Sequence, residues 1–193
     1  MQQKCIIIGG GIAGLSAGIA MRKAGYAVTL YEQAKTIEPM GAALSIWGNA
    51  MAGLDWLGCG DELRVQAAPI HQVSLIRKDS RTLMGPIDVS KTSSFLPTRA
   101  VLQKILLDHL GAENVRLGVV IESAVEQDGK VTIIAGGEAI DEADILIAAD
   151  GINSQIAREH IGGEAKFAGY VGALGLCDVP DTPLPIGFAQ EIW

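Results

Sequence analysis

The sequence predicts an α/β protein organised around a parallel sheet with a βαβ unit, and three observations near its start carry that prediction. A short apolar run, Cys5 to Ile8, stops at three consecutive glycines, Gly9, Gly10 and Gly11. Beyond them Ile12, Leu15, Ile19 and Ala20 recur at helical spacing, and Gly25 offers a stop. A second apolar run, Ala27 to Tyr31, ends at Glu32. Strand, tight turn, helix and strand in that order imply parallel strands joined by a right-handed crossover.

The chain has 193 residues, enough for about one domain and a fragment of another. Hydrophobic residues make up 49% and charged residues 19%, which excludes a disordered or solvated linker. A formal charge of −7 and the lack of any basic cluster make nucleic acid and anionic membrane poor partners. Cys5, Cys59 and Cys177 are widely spaced, without a CxxC pair, so they read as free, buried thiols suited to a reducing cytoplasm. The uncharged stretch from Cys5 to Met21 is broken by Gly9, Gly10, Gly11, Gly14 and Gly18. It falls short of the roughly 18 to 20 residues a membrane span needs.

Later elements follow in order. Residues 41 to 60 are rich in Gly and Ala, and Asn49 is expected to cap a short helix reaching Leu57, after which the pattern loosens beyond Asp61. His71 to Lys78 and Arg81 to Met84 read as strands joined at Asp79-Ser80, and Pro86 to Ser94 as a polar connection; these segments are expected to leave the first sheet. Apolar residues at 101, 102, 105, 106 and 110 make Thr98 to Leu110 an amphipathic helix, with Gly111 just past its end. Val115 to Ala124 and Lys130 to Ala135 read as strands of a hairpin turning at Gln127-Asp128-Gly129. Ala143 to Ala149 is a continuous apolar strand ending in Asp150-Gly151, and a helix follows from about Asn153. Lys166 to Cys177 is expected to return to strand, Pro180, Pro183 and Pro185 mark an irregular connection, and a further strand begins before Trp193.

The chemistry lies in two turns. Gly9, Gly11 and Gly14 form a GxGxxG signature between a strand and a helix: the first glycine makes the turn, the second lets a pyrophosphate approach the backbone, and the third allows close helix packing. The helix N-terminus, with Ile12 and Ala13, then receives the anion. Glu32, about 20 residues further on, can accept both hydroxyls of an adenosine ribose and argues against a 2′-phosphate there. This logic serves NAD and FAD alike, and these residues alone leave the choice open. The second turn places the Asp150 carboxylate at the carboxyl end of a buried strand, where open α/β sheets bind ligands.

Together, the glycine turn and the segment Ala143-Asp144-Ile145-Leu146-Ile147-Ala148-Ala149-Asp150-Gly151-Ile152-Asn153-Ser154 resemble the class A flavoprotein monooxygenases, the aromatic hydroxylase family. The likeness is greatest to its FAD-dependent urate and salicylate hydroxylases. Residues 41–50 resemble the family's loop beside the flavin, Pro97 to Gln103 its Arg-x-x-Leu helix start, and Phe167 to Val171 its strand leading into the substrate domain. The resemblance implies a Rossmann-like FAD-binding domain over residues 1–165, with inserted strands at about 70–95, and the start of a β-rich substrate domain over 166–193. It implies cofactor contacts from Gly9, Gly11, Ile12, Ala13, Gly14, Glu32, Gln33, Ser45, Arg99, Gln103 and Asp150, and from the backbone of Ile121. Trp47 is implied as a wall of the flavin or substrate cavity, or as simple packing.

The same resemblance implies hydroxylation of a small aromatic or purine-like substrate, with NADH or NADPH and dioxygen, through a flavin C4a-hydroperoxide. Two departures stand out. The family's Asp-Gly-x-x-Ser-x-x-Arg pattern has Ala157 at its last position, with Arg158 one residue late, a helical rotation of about 100°. The family's later Gly-Asp motif is not found before Trp193, which points to a missing C-terminal half or a partner, a homo-oligomer included. No residue identifies itself as a catalytic base, and His71, His109 and His160 read as structural. The alternatives are an NAD-dependent oxidoreductase, which would need a Tyr-x-x-x-Lys or His-carboxylate pair not found here, and a non-catalytic nucleotide-binding module.

Overall fold

Alternation along the first strand decides how the molecule is layered. In the computed structural model, which describes residues 2–37, 41–163, 165–176 and 185–192, β1 (Lys4–Ile8) turns Ile7 toward helix α1 (Ile12–Lys23) and Ile6 and Ile8 toward the opposite face. Strand β2 (Ala27–Glu32) then lies parallel to β1, with Cys5 opposite Val28 and Ile8 opposite Tyr31. The predicted βαβ unit is therefore present, and Gly25, at φ +93°, takes the left-handed conformation that ends its helical turn.

By internal contacts the chain divides into two compact units, Met1–Glu38 with Leu106–Gly172 and Pro39–Ile105 with Ala173–Trp193. The second contains helices α2 (Gly48–Leu57) and α3 (Gly60–Gln66). Asn49 is not the cap of α2: the helix starts two residues earlier than that cap would place it, at Gly48 after Trp47, and no side chain caps it. Its first residue must be small, because a Cβ on Gly48 would collide with the Thr92 carbonyl. Helix α3 was not visible as a periodic pattern. It is held instead by an Arg64 fork, which donates to the two Asp55 oxygens at 2.6 and 2.8 Å.

Strands β3 (Ala68–Ile70), β4 (Gln72–Ile76), β5 (Thr82–Asp88) and β6 (Ser94–Leu96) complete this unit's chain order up to helix α4 (Arg99–Leu110). The hairpin of β4 and β5 leaves the first sheet, as expected, but β5 runs through Pro86 to Asp88, where a polar connection was expected.

In the first unit, β7 (Val115–Leu117), β8 (Ser123–Gln127), β9 (Lys130–Ala135), β10 (Glu138–Ala143) and β11 (Ile145–Ala148) follow. The run from Val115 to Ala124 is not one strand. It breaks at Gly118, at φ +72°, so that β7 joins β2 in the parallel sheet while β8 pairs with β9. Asp128 and Gly129, both at positive φ, make the expected hairpin turn, and Gly136 and Gly137 make a second that leads into β10. The result is a parallel sheet in the order β11-β1-β2-β7 and an antiparallel sheet in the order β10-β9-β8. Between them Ile6, Ile8, Tyr31, Ala124, Ile133 and Ala143 share one core with Ile121 and Ile156.

Helix α5 (Gln155–His160) begins just after the predicted point, with the Ser154 hydroxyl accepting the Ala157 amide at 2.9 Å. Residues 165–176 are not a strand: Phe167, Tyr170 and Val171 are exposed, and an apolar run without a neighbouring strand to complete its ladder stays irregular. Cys177, Pro180 and Pro183 lie outside the described residues. Strand β12 (Phe188–Ile192) follows as expected and pairs in parallel with β4, Phe188 opposite Gln72. Cys5 and Cys59 are buried and neither is in a disulfide.

A polar clamp ties β10 to β1 and β2. Tyr31 donates to Asp141 Oδ2 at 2.8 Å, and Lys4 holds the other Asp141 oxygen. Burial, then the bond to Asp141 and its charge, push the Tyr31 phenol up to about 12 against an opposing pull from Arg116; burial pushes the Cys5 thiol up to about 11. Both groups favour the folded state while protonated, so their contribution is complete below the unfolded values of 9.0 and 10.0 and is lost as pH rises through about 11 and 12. Thermal unfolding followed by circular dichroism should therefore show the melting temperature falling above pH 9. Tyr31→Phe should cost about 1 kcal/mol at neutral pH and flatten the upper part of that fall.

Candidate functional site

The parallel pairing of β1 with β11 brings the two predicted turns together. Register sets Ile8 opposite Ala148, and the Ala149 amide continues the ladder to the Ile8 carbonyl at 2.8 Å. The chain leaving β1 then packs on the chain leaving β11: Gly9, at φ +104°, lies so close to the Ala149 carbonyl and the Asp150 amide that a Cβ there would collide with the former. On its other side the Gly9 amide donates to Tyr31 O at 2.8 Å. A Cβ at Gly14 would in turn collide with the Gly9 carbonyl. Two of the three signature glycines are thus required by the packing of the protein on itself.

Gly11 is different. Nothing lies within 4 Å of the position its Cβ would take, and its backbone is an ordinary extended cap at φ −76°. No side chain caps α1, no acidic residue stands in its first turn, and Arg22 and Lys23 complement its far end. The first-turn amides of Ile12, Ala13 and Gly14 therefore lack an intrahelical acceptor and make the start of α1 a positive edge.

Glu32 sits at the end of β2 and is already anchored. Its Oε2 accepts the Gly10 amide at 2.5 Å and its Oε1 the Ala34 amide at 2.8 Å. Each carboxylate oxygen keeps a second lone pair for a ligand hydroxyl. Gly10, unassigned by the GxGxxG pattern, is buried beneath this side chain, and a Cβ there would approach Glu32 Oε2 to 3.0 Å. Gln33 is exposed, and Ile121 is a core residue whose side chain is 9% exposed.

Asp150 carries the most direct sign of a missing partner. Its Oδ1 is buried without a hydrogen bond among the described residues. A buried carboxylate oxygen left in this way is costly unless a ligand or water supplies a donor.

The remaining expected site residues belong to the second compact unit. There the segment 43–46 pairs with 95–98 through bridges at Ala43 to Thr98 and Ile46 to Phe95. The Arg99 amide donates to Ala42 O at 3.0 Å, and the Arg99 stem covers Gly41, whose φ is +103°. This sets the exposed Ser45 on a strand-like segment beside the start of α4, which carries Arg99 at its first position and Gln103 one turn later. Trp47 is 43% exposed.

On α5, Ile156 is buried, Ala157 half-buried and Arg158 exposed, so the late arginine does face away from the position the family pattern would give it. The His160 ring meets the Ala124 carbonyl at 3.1 Å, a structural contact. Among the described residues no cluster of three or more His, Cys, Asp or Glu could hold a metal, and no helix is long and apolar enough to cross a membrane.

Asp141 and Asp144, to which the sequence assigns no role, are both engaged across the sheet, Asp141 accepting from Tyr31 and Asp144 accepting the Lys4 amide, each at 2.8 Å.

Comparison with known proteins returns one family model, described as an FAD binding domain, matching residues 2–187. The FAD-dependent urate hydroxylase of Klebsiella pneumoniae subsp. pneumoniae is 32% identical over 192 residues, covering 94% of this chain and 50% of that protein. The 3-hydroxybenzoate 6-hydroxylase of Polaromonas naphthalenivorans is 28% identical over 200 residues, covering 97% of this chain and 50% of that protein. Among solved structures, a variant of HpxO from Klebsiella pneumoniae complexed with FAD superposes with a TM-score of 0.69 at 29% identity, covering 78% of this chain and 40% of that one. The chain spans about half the length of the curated relatives it matches.

The glycines should separate cleanly by urea denaturation. Gly14→Ala should gain about 1 kcal/mol of helix propensity and lose more to the collision with Gly9, for a net loss of roughly 1–2 kcal/mol. Gly9→Ala should lose at least as much, whereas Gly11→Ala should cost no more than about 1 kcal/mol, the cap preference alone.

Proposed function

We propose, because this chain belongs to the FAD-binding domain family, that it holds FAD within a flavin-dependent monooxygenase hydroxylating a small aromatic or purine-like substrate with NADH or NADPH and dioxygen. The observation that carries the cofactor assignment is the pair of interlocked turns, with open space over Gly11 and an orphaned buried oxygen on Asp150. The substrate class follows from what the relatives are named for, urate in one case and 3-hydroxybenzoate in the other.

In this reading the α1 amides of Ile12, Ala13 and Gly14 receive the pyrophosphate over Gly9 and Gly11, and the spare lone pairs of Glu32, flanked by Gln33, take the ribose hydroxyls. The Ile121 backbone meets the adenine, and Asp150 gains from the cofactor the donor it lacks. Arg99 offers a planar fork to phosphate oxygens, with Ser45 and Gln103 as neutral hydrogen-bonding neighbours. Bound FAD would supply the redox chemistry, accepting electrons from the nicotinamide and activating dioxygen. The protein's part is to bind, orient and shield.

We assign residues 1–165 to the FAD-binding domain, with inserted strands at about 70–95, and 166–193 to the start of a substrate domain. Because β12 pairs with β4, the inserted hairpin and the later strand share one sheet, so the substrate domain would take in that hairpin as well. Buried thiols at Cys5 and Cys59, neither in a disulfide, suit a reducing cytoplasm.

Native mass spectrometry of the purified protein, followed by titration with FAD and quenching of flavin fluorescence, tests the reading. FAD should bind, and Gly11→Ala should weaken it roughly tenfold or more while leaving the fold intact, because its methyl group would fill the space the pyrophosphate needs. Binding of NADH without FAD would return the protein to the NAD-dependent oxidoreductases. Consumption of NADH or NADPH stimulated by urate or a hydroxybenzoate then tests the reaction itself.

A further inference from the structure

β1 and its neighbour β11, at the edge of the parallel sheet, have little in their sequences to align them. β1 contributes Cys5-Ile6-Ile7-Ile8 and β11 contributes Ile145-Leu146-Ile147-Ala148, apolar at every position. Strands that alternate lose their buried face when they slip by one residue, but strands apolar on both faces lose almost nothing. A slip would still be ruinous at the far end, since it would carry Ala149 and Asp150 about 3.3 Å past Gly9.

A polar device stands at the other end of this pair. The Asp144 amide donates to Lys4 O at 3.0 Å, and the Lys4 amide donates back to Asp144 Oδ2 at 2.8 Å. Backbone and side chain of one residue thus address both polar groups of one opposing residue, a reciprocal pair available in a single register. Lys130, at the start of β9, holds the other Asp144 oxygen and fixes the side chain's orientation. A slipped β11 would break both bonds and leave the carboxylate without its amide donor.

We propose that Asp144 is a positioning residue of the dinucleotide site, pinning β11 to β1 in the one register that seats Ala149 and Asp150 against the glycine turn. It touches no ligand and acts through the four residues of β11. The identity of the ligand rests on the function proposed above; the register itself does not.

Asp144→Ala, Asp144→Glu, Asp144→Asn and Lys130→Met should be compared with the parent chain for FAD affinity, at a temperature where circular dichroism shows each fully folded. Asp144→Ala, which removes the acceptor, and Asp144→Glu, which keeps the charge but displaces it by a methylene, should each weaken FAD roughly tenfold. Asp144→Asn, which retains a carbonyl oxygen for the Lys4 amide, should stay within about threefold, and Lys130→Met within about twofold. Hydrogen exchange read by mass spectrometry supplies a signal independent of the ligand: Asp144→Ala or Asp144→Glu should lose protection at the Ala149 amide while α1 and β2 keep theirs. If the melting temperature falls but FAD affinity and Ala149 protection match the parent, Asp144 merely stabilises the fold and the proposal is overturned. If the parent itself binds no FAD, the functional reading fails, and unchanged or lost protection at Ala149 still decides the register.

Discussion

The first compact unit depends on a close backbone approach, that of Gly9 to the peptide joining Ala149 and Asp150. Everything nearby is arranged around it. Gly9 must take a left-handed conformation to turn there, Gly14 must be small because Gly9 lies beneath it, and the Gly9 amide finds its acceptor in β2. The constraint is mutual, since the carboxyl ends of β1, β2 and β11 are fixed in space by the same few contacts. That is what turns three separate strand ends into one ligand-facing rim.

Polar interactions in this unit gather at the two ends of the sheet, and the middle is apolar. At the glycine end they are incomplete, with spare lone pairs on Glu32 and an unsatisfied oxygen on Asp150. Around Lys4, at the start of β1, they are closed: Asp141 is held by Lys4, the Glu142 amide and Tyr31, which reaches in from the end of β2, and Asp144 by Lys4 and Lys130. Burial pushes the Asp141 carboxyl up, but those hydrogen bonds outweigh it and hold it below the usual range. A satisfied end that fixes geometry and an unsatisfied end that awaits a partner is the division expected of a binding scaffold.

Much of this was legible in the sequence because it is local. The βαβ unit, the helix from Arg99, the turn at Asp128-Gly129 and the strand before Asp150 each declare themselves through periodicity or turn chemistry. What was not legible depends on partners far away in the chain. The division of residues 115–124 between two sheets follows from which neighbours β7 and β8 find, and nothing in their shared apolar character announces it. Residues 165–176 look like a strand by composition and are irregular because β-propensity needs a ladder to act on. Within the site, the glycine signature, Glu32 and Asp150 could be named in advance, but the task of each glycine could not. Only the packing shows that Gly9 and Gly14 serve the fold while Gly11 leaves space. Asp144 was invisible for the same reason, its partner lying 140 residues away.

That separation also shapes how the chain is made. The β1–β2 pair is complete once its first few dozen residues have left the ribosome, yet the strand that covers the other edge of β1 arrives 140 residues later. At common elongation rates of about 5–20 residues per second, this leaves the bare edge of Cys5-Ile6-Ile7-Ile8 exposed for roughly 7–28 s. An unpaired apolar edge of that kind is a template for pairing with other nascent chains. The topology that lets two distant turns meet at one rim therefore makes newly synthesised protein dependent on protection, by chaperones or by a low concentration of nascent chains, before any ligand can be bound.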